Sequence, residues 1–85
     1  MELLIEREAA RRLRDLPPKA RLALLDRLER VAADPFARHP NVKPLEGQRS
    51  VFRLRQGDWR AVYVVDRAAN QVRVTRIAPR GEVYR

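Results

Sequence analysis

The fold class this sequence predicts is α+β: an N-terminal strand and a helical hairpin packed on an antiparallel β-sheet. Three observations predict it. Apolar residues recur at helical spacing from about Arg7 to Ala33, and the pair Pro17-Pro18 interrupts that stretch once. Beyond residue 50 the pattern changes to alternation, punctuated by Gln56-Gly57-Asp58 and by a second turn over residues 67–70. Charge divides the same way. Residues 1–35 carry 8 basic and 7 acidic side chains, a balance of +1, whereas residues 36–85 carry 11 basic and 4 acidic, a balance of +7.

Leu3-Leu4-Ile5 is a short apolar run that reads as the first strand. From Arg7 to Leu16 the chain reads as a helix, with Ala9, Ala10, Leu13 and Leu16 on one stripe and Arg7, Arg11, Arg12 and Arg14 largely outside it. Pro17-Pro18 ends it, because a residue before proline avoids the α region, and Pro18 can open the next helix, where its missing donor is not needed. The second helix is expected to run to Ala33, burying Leu22, Leu25, Leu28 and Ala32, with Asp34-Pro35 closing it. Two short helices so tightly linked form a helical hairpin.

Phe36 to Gly47 contains Pro40 and Pro44 and reads as an irregular crossing over the sheet edge. Three strands are expected after it, at about 50–55, 59–66 and 71–78, forming a meander. Phe52 and Leu54 should face the helices, leaving Val51, Arg53 and Arg55 on the other face. In the middle strand Trp59, Ala61, Tyr63 and Val65 share one face, and Arg60, Val62 and Val64 the other. That strand is apolar on both sides. Either the sheet is covered twice, or Arg60 projects from the strand's start into a concave cleft, which is the favoured reading. In the last strand Ile77 falls out of phase with Val72 and Val74, and a bulge near Thr75 or Arg76 repairs this.

With 85 residues the chain is one domain with a modest core. It contains no cysteine, which removes disulfides and thiolate metal sites. No apolar run approaches the roughly 20 residues a membrane helix needs. The start, Met1-Glu2-Leu3-Leu4-Ile5-Glu6, carries acids where a secretory signal carries positive charge, so a complete cytoplasmic protein is expected. The cationic second half points to nucleic acid or an acidic protein tail as partner.

Arg53, Arg55, Arg60, Arg80 and Tyr84 read as one phosphate-handling cluster. Arg53 and Arg55 are two apart in a strand, hence on one face with Cα atoms roughly 6–7 Å apart. Arginine forks bind phosphate oxygens in pairs and keep their charge. Each residue also has a plainer reading. Arg53 and Arg55 suit a solvated strand face, Arg60 an ion pair with Asp58, and Tyr84 a cap on the core. Trp59 reads as a core or edge anchor, lone His39 as exposed, and Thr75 lacks a histidine to activate it.

The chain resembles the RelE/ParE superfamily of toxins from type II toxin–antitoxin systems. The likeness covers the whole chain and rests chiefly on Phe52-Arg53-Leu54-Arg55, Gly57-Asp58-Trp59-Arg60-Ala61-Val62-Tyr63 and Arg80-Gly81-Glu82-Val83-Tyr84. The middle segment is shared by members that cut RNA and members that inhibit DNA gyrase. RelE-type nucleases carry basic residues at alternate positions of the first meander strand, an arginine opening the second, and an arginine and a tyrosine in the tail. Those positions fall here on Arg53, Arg55, Arg60, Arg80 and Tyr84. Pro79 departs from the histidine or lysine of many relatives.

The resemblance implies a cofactor-free endoribonuclease cleaving messenger RNA, on the ribosome, with a cognate antitoxin as second partner. Arg60 and Arg80 are then expected to stabilise the phosphorane, and Arg53 and Arg55 to position the backbone. Tyr84 would accept the 2′-hydroxyl proton, or stack on a base while Glu82 accepts it. The alternatives are a ParE-like gyrase inhibitor without enzymatic activity, or an inactive relative that binds nucleic acid or antitoxin.

Overall fold

Strand β1 (Glu2–Ile5) leads straight into α1 (Arg7–Asp15), and the computed structural model describes residues 1–82 of the chain. Glu8 sits in the first turn of α1 and Arg12 and Arg14 in the last, each placed to complement the helix dipole. Leu16 is extended (ψ 149°), as its position before Pro17 requires, and its N–H bonds the Leu13 carbonyl at 3.2 Å. Helix α2 (Pro18–Ala33) then begins with Pro18 in its first turn.

The helices pack on one face of the sheet. Ala9, Leu13 and Leu16 meet Leu24, Leu28 and Val31, and all six rest on Leu54, Ala61, Tyr63, Val65, Val72, Val74 and Ile77. The buried stripe of α2 matches the expected one in part: Leu28 and Ala32 are buried and Leu25 packs against the core, but Leu24 and Val31 are buried in addition and Leu22 is 64% exposed. Apolar residues surround this helix, so two stripes at helical spacing compete. Docking against the sheet selects the one through Leu24.

Three further strands were expected after residue 47; the structure adds a short one before them. β2 (Val42–Pro44) pairs antiparallel with β3 (Val51–Gln56), Lys43 lying opposite Arg53. Prolines obscured it, and Pro44 is tolerated because β2 is an edge strand. β3 turns through Gly57-Asp58 into β4 (Trp59–Asp66), which pairs with β5 (Gln71–Pro79). Gly57 takes φ +59° at the first central position of this two-residue turn, where glycine is favoured. β1 returns parallel to β5, giving the order β1-β5-β4-β3-β2.

The expected bulge is present. Val62 pairs with Arg76 and Tyr63 with Val74, leaving Thr75 unpaired in the ladder, and its hydroxyl donates to the Val62 carbonyl at 3.4 Å. The extra residue returns Ile77 to the helix side and turns Arg76 to the open face.

Candidate functional site

The face that the helices leave uncovered carries two kinds of surface. At one end Arg73 is neutralised, its guanidinium 3.0 Å from Glu6 and 3.1 Å from Asp66. Asp66 in turn accepts the Ala69 N–H at 3.0 Å; that bond, followed by the one from Arg73, holds its carboxyl below the usual carboxylate value. At the other end, near the β3–β4 turn, basic residues gather around a small apolar patch of Val62 and Ala78, flanked by Leu45 and Val51.

Register brings most of the sequence-predicted residues to that basic end. Arg55 lies directly opposite Arg60, and Arg53 opposite Val62 one step further along. Arg80 follows β5, and its N–H donates to the Asp58 carbonyl at 2.9 Å, which fastens the start of the tail to the β3–β4 turn. Three separate stretches of sequence therefore reach one end of the sheet. Tyr84 lies outside the described residues.

Like charges facing each other across strands repel, and here the two side chains seek different acceptors. Arg55 reaches sideways to Asn41 Oδ1 at 3.3 Å. Arg60 folds toward its own turn, where Nη1 donates to the Gly57 carbonyl at 2.8 Å and the Trp59 carbonyl at 2.9 Å. The Asp58 pairing considered for Arg60 is replaced by these carbonyls. Arg60 is only 6% exposed, so the favoured picture of a projecting side chain is corrected to one of a buried, anchored one. A guanidinium has five donors, and the two on Nη1 are directed to main-chain carbonyls.

Two cations share this face without having been singled out in the sequence. Lys43 is brought in by β2, and Arg76 by the Thr75 bulge. The phase break at Ile77 was the available signal for Arg76.

Glu82 is held beside a groove of about 290 Å³ between α1 and β5, lined by Glu8, Ala9, Arg12, Thr75, Arg76 and Ile77. Arg12 bonds the Glu82 carboxylate at 3.1 Å and Arg76 the Glu82 carbonyl at 3.4 Å. Glu82, the alternative proton acceptor, is thus directed toward α1. Trp59 packs against the helix-side core, as an anchor does. His39 is half-buried instead of exposed, and its Nε2 donates to the Asp34 carbonyl at 2.7 Å, closing the end of α2. Among the described residues no group of three or more His, Cys, Asp or Glu side chains converges as a metal site.

A family model described as "ParE toxin of type II toxin-antitoxin system, parDE" matches residues 3–84. Among solved structures, the chain is similar to RelE in the archaeal RelE–RelB complex from Pyrococcus horikoshii, at 25% identity over 96% of this chain and 97% of that one, with a TM-score of 0.80. It is also similar to the isolated E. coli RelE toxin, at 25% identity, 98% and 89% coverage and a TM-score of 0.81. The E. coli RelBE toxin–antitoxin complex gives 25% identity, 95% and 96% coverage and a TM-score of 0.77. No curated protein gives a match.

Proposed function

Since the chain belongs to the ParE toxin family of type II toxin–antitoxin systems, within the RelE/ParE superfamily, we propose that it is a cytoplasmic, metal-independent endoribonuclease that cleaves messenger RNA on the ribosome. The observation that carries this reading is the Arg55–Arg60 pair with Arg80 held beside it through Asp58. Phosphoryl transfer needs positive charge placed where negative charge develops, and three arginines gathered at one end of the sheet support that reading.

In the proposed reaction the 2′-oxygen bonds to the adjacent phosphorus and the bond to the 5′-oxygen breaks, that oxygen taking a proton from solvent water to leave as a hydroxyl and a 2′,3′-cyclic end remaining. Arg60 and Arg80 stabilise the phosphorane. Arg53 and Arg55 hold the backbone on either side of it. Tyr84 accepts the 2′-hydroxyl proton. Two of the solved structures named above are toxin–antitoxin complexes, and by that likeness the protein partner of this chain is a cognate antitoxin.

The family model carries the name ParE, which favours a second reading: a gyrase inhibitor with no enzymatic activity. Primer extension on cellular messages during regulated expression separates the two. Discrete, codon-linked breaks support the nuclease. Gyrase-dependent DNA breaks with intact messages overturn it. Neither lesion would leave a relative that binds without cutting. Arg80→Ala and Tyr84→Phe are each expected to remove most growth inhibition, and near-native toxicity in either would overturn the site assignment.

A further inference from the structure

We propose that Arg12 of α1 is a positioning residue for the tail: its ion pair with Glu82 fixes the point from which the chain runs on to Tyr84. This rests on the nuclease reading above, in which Tyr84 takes the 2′-hydroxyl proton, and names a residue outside the arginine cluster on which that step depends. Two residues of chain span at most about 7 Å, so whatever fixes Glu82 limits the reach of Tyr84.

Glu82 is tied from three directions. Pro79-Arg80-Gly81-Glu82 forms a turn in which the Glu82 N–H donates to the Pro79 carbonyl at 3.2 Å, and Gly81 takes φ +92°, a conformation glycine adopts readily. Arg12 Nη2 donates to Glu82 Oε2 at 3.1 Å. Arg76 Nη2 donates to the Glu82 carbonyl at 3.4 Å. Both arginines stand on fixed bases. Arg12 adjoins Leu13 and lies about one turn beyond Ala9, two α1 residues buried in the same core as Ile77 of β5, and Arg76 pairs with Val62 in the ladder.

Directional bonds matter here because burial contributes little. Arg80, Gly81 and Glu82 are all exposed, so the hydrophobic effect does little to fix them. The Arg12–Glu82 pair is itself half-exposed and adds little to global stability. Its effect falls on a local equilibrium, the fraction of molecules in which Glu82 is docked on α1. By contrast, Asp26–Arg30 is an i,i+4 pair inside α2 and restrains nothing beyond that helix. Arg12 and Glu82 are 70 positions apart, so their contact ties the end of β5 to a separate element.

The test is single-turnover cleavage of a ribosome-bound message over a range of toxin concentrations, which separates the saturated rate from the half-saturating concentration. Arg12→Gln should lower the saturated rate by about two- to fivefold, the population change an exposed ion pair can produce, with the half-saturating concentration and the urea midpoint left native. Arg12→Lys keeps the charge and should recover most of the rate. Arg12→Glu sets two carboxylates face to face and should lower the rate further. Combining it with Glu82→Arg should return the rate to within about twofold of native. Arg11→Gln, on the exposed surface of α1, should keep the native rate. A native rate for Arg12→Glu overturns the positioning role, and so does an exchanged pair that recovers nothing, the result expected if Glu82 itself takes the proton. Water exchange of the Glu82 amide, followed by NMR, needs no cleavage: faster exchange in Arg12→Glu supports the tie and native exchange overturns it. The two proposals therefore fail separately. Faster exchange in Arg12→Glu with no cleavage by the native protein overturns the nuclease alone, and cleavage that Arg12→Glu leaves unaltered overturns the positioning role alone.

Discussion

Arg60 Nη1 donates to the carbonyl oxygen of Gly57 at 2.8 Å, so an arginine of the candidate site is also a strut of the β3–β4 turn. The second bond, to the Trp59 carbonyl at 2.9 Å, fixes the guanidinium from both sides of the turn. A charge held by main-chain carbonyls in a nearly buried position has its rotamer set by the fold.

Arg60→Ala is expected to lower both activity and stability. Hydrogen bonds to a charged group contribute about 1.5–3 kcal/mol, and the Gly57 and Trp59 carbonyls would lose their charged donor. The unfolding midpoint in urea should fall accordingly. Arg55→Ala, at an exposed position, should reduce RNA binding and leave that midpoint nearly unchanged.

The register of α2 gives a contrast within three residues. Leu24 is fully buried and Leu22 is 64% exposed. Leu24→Ala should therefore destabilise by about 2–5 kcal/mol, the usual range for a buried leucine. Leu22→Ala should stay within about 0.5 kcal/mol of the native protein in the same denaturation experiment.

Asp66 makes the acid limb of stability specific. Its folded-state carboxyl titrates below the ordinary 3.8, first because of the Ala69 N–H and then because of Arg73. A depressed carboxylate contributes fully above its unfolded value, and the contribution fades as pH falls through the lower, folded value. Asp66→Asn should weaken the fold at neutral pH and flatten the loss of stability on acidification, as followed by thermal melts across the acid range.

Tyr63 acts at the opposite limit. Burial pushes its phenol up to about 12, so the folded state holds this proton more tightly than the unfolded chain does. Its contribution is present below the ordinary value of 10 and is lost as pH rises from there toward the folded value. Ultraviolet titration of the native protein should show one late-ionising tyrosine, and Tyr63→Phe should abolish that late step.

Element positions were legible because the signals for them are local. Pro17-Pro18 divides the helices through steric exclusion, and Gly57-Asp58 marks a hairpin whose ladder then carries Arg53, Arg55 and Arg60 to one face by strand alternation. The bulge at Thr75 was legible too, since Ile77 had to regain the core. β2 was hidden because Pro40 and Pro44 read as loop, and a three-residue edge strand is stabilised by the partner it pairs with more than by its own composition.

What the chain determined by itself is therefore the alternation of its strands, the break between its helices and the concentration of positive charge in its second half. Tertiary structure alone decided which stripe of α2 is buried, that Arg60 is anchored to Gly57 and Trp59, and that among the described residues Arg73 meets two carboxylates while Arg76 meets a carbonyl. The physical reason is that periodicity and turn chemistry act between near neighbours in sequence. Ion pairing and side-chain burial depend on which distant segments the sheet register sets side by side.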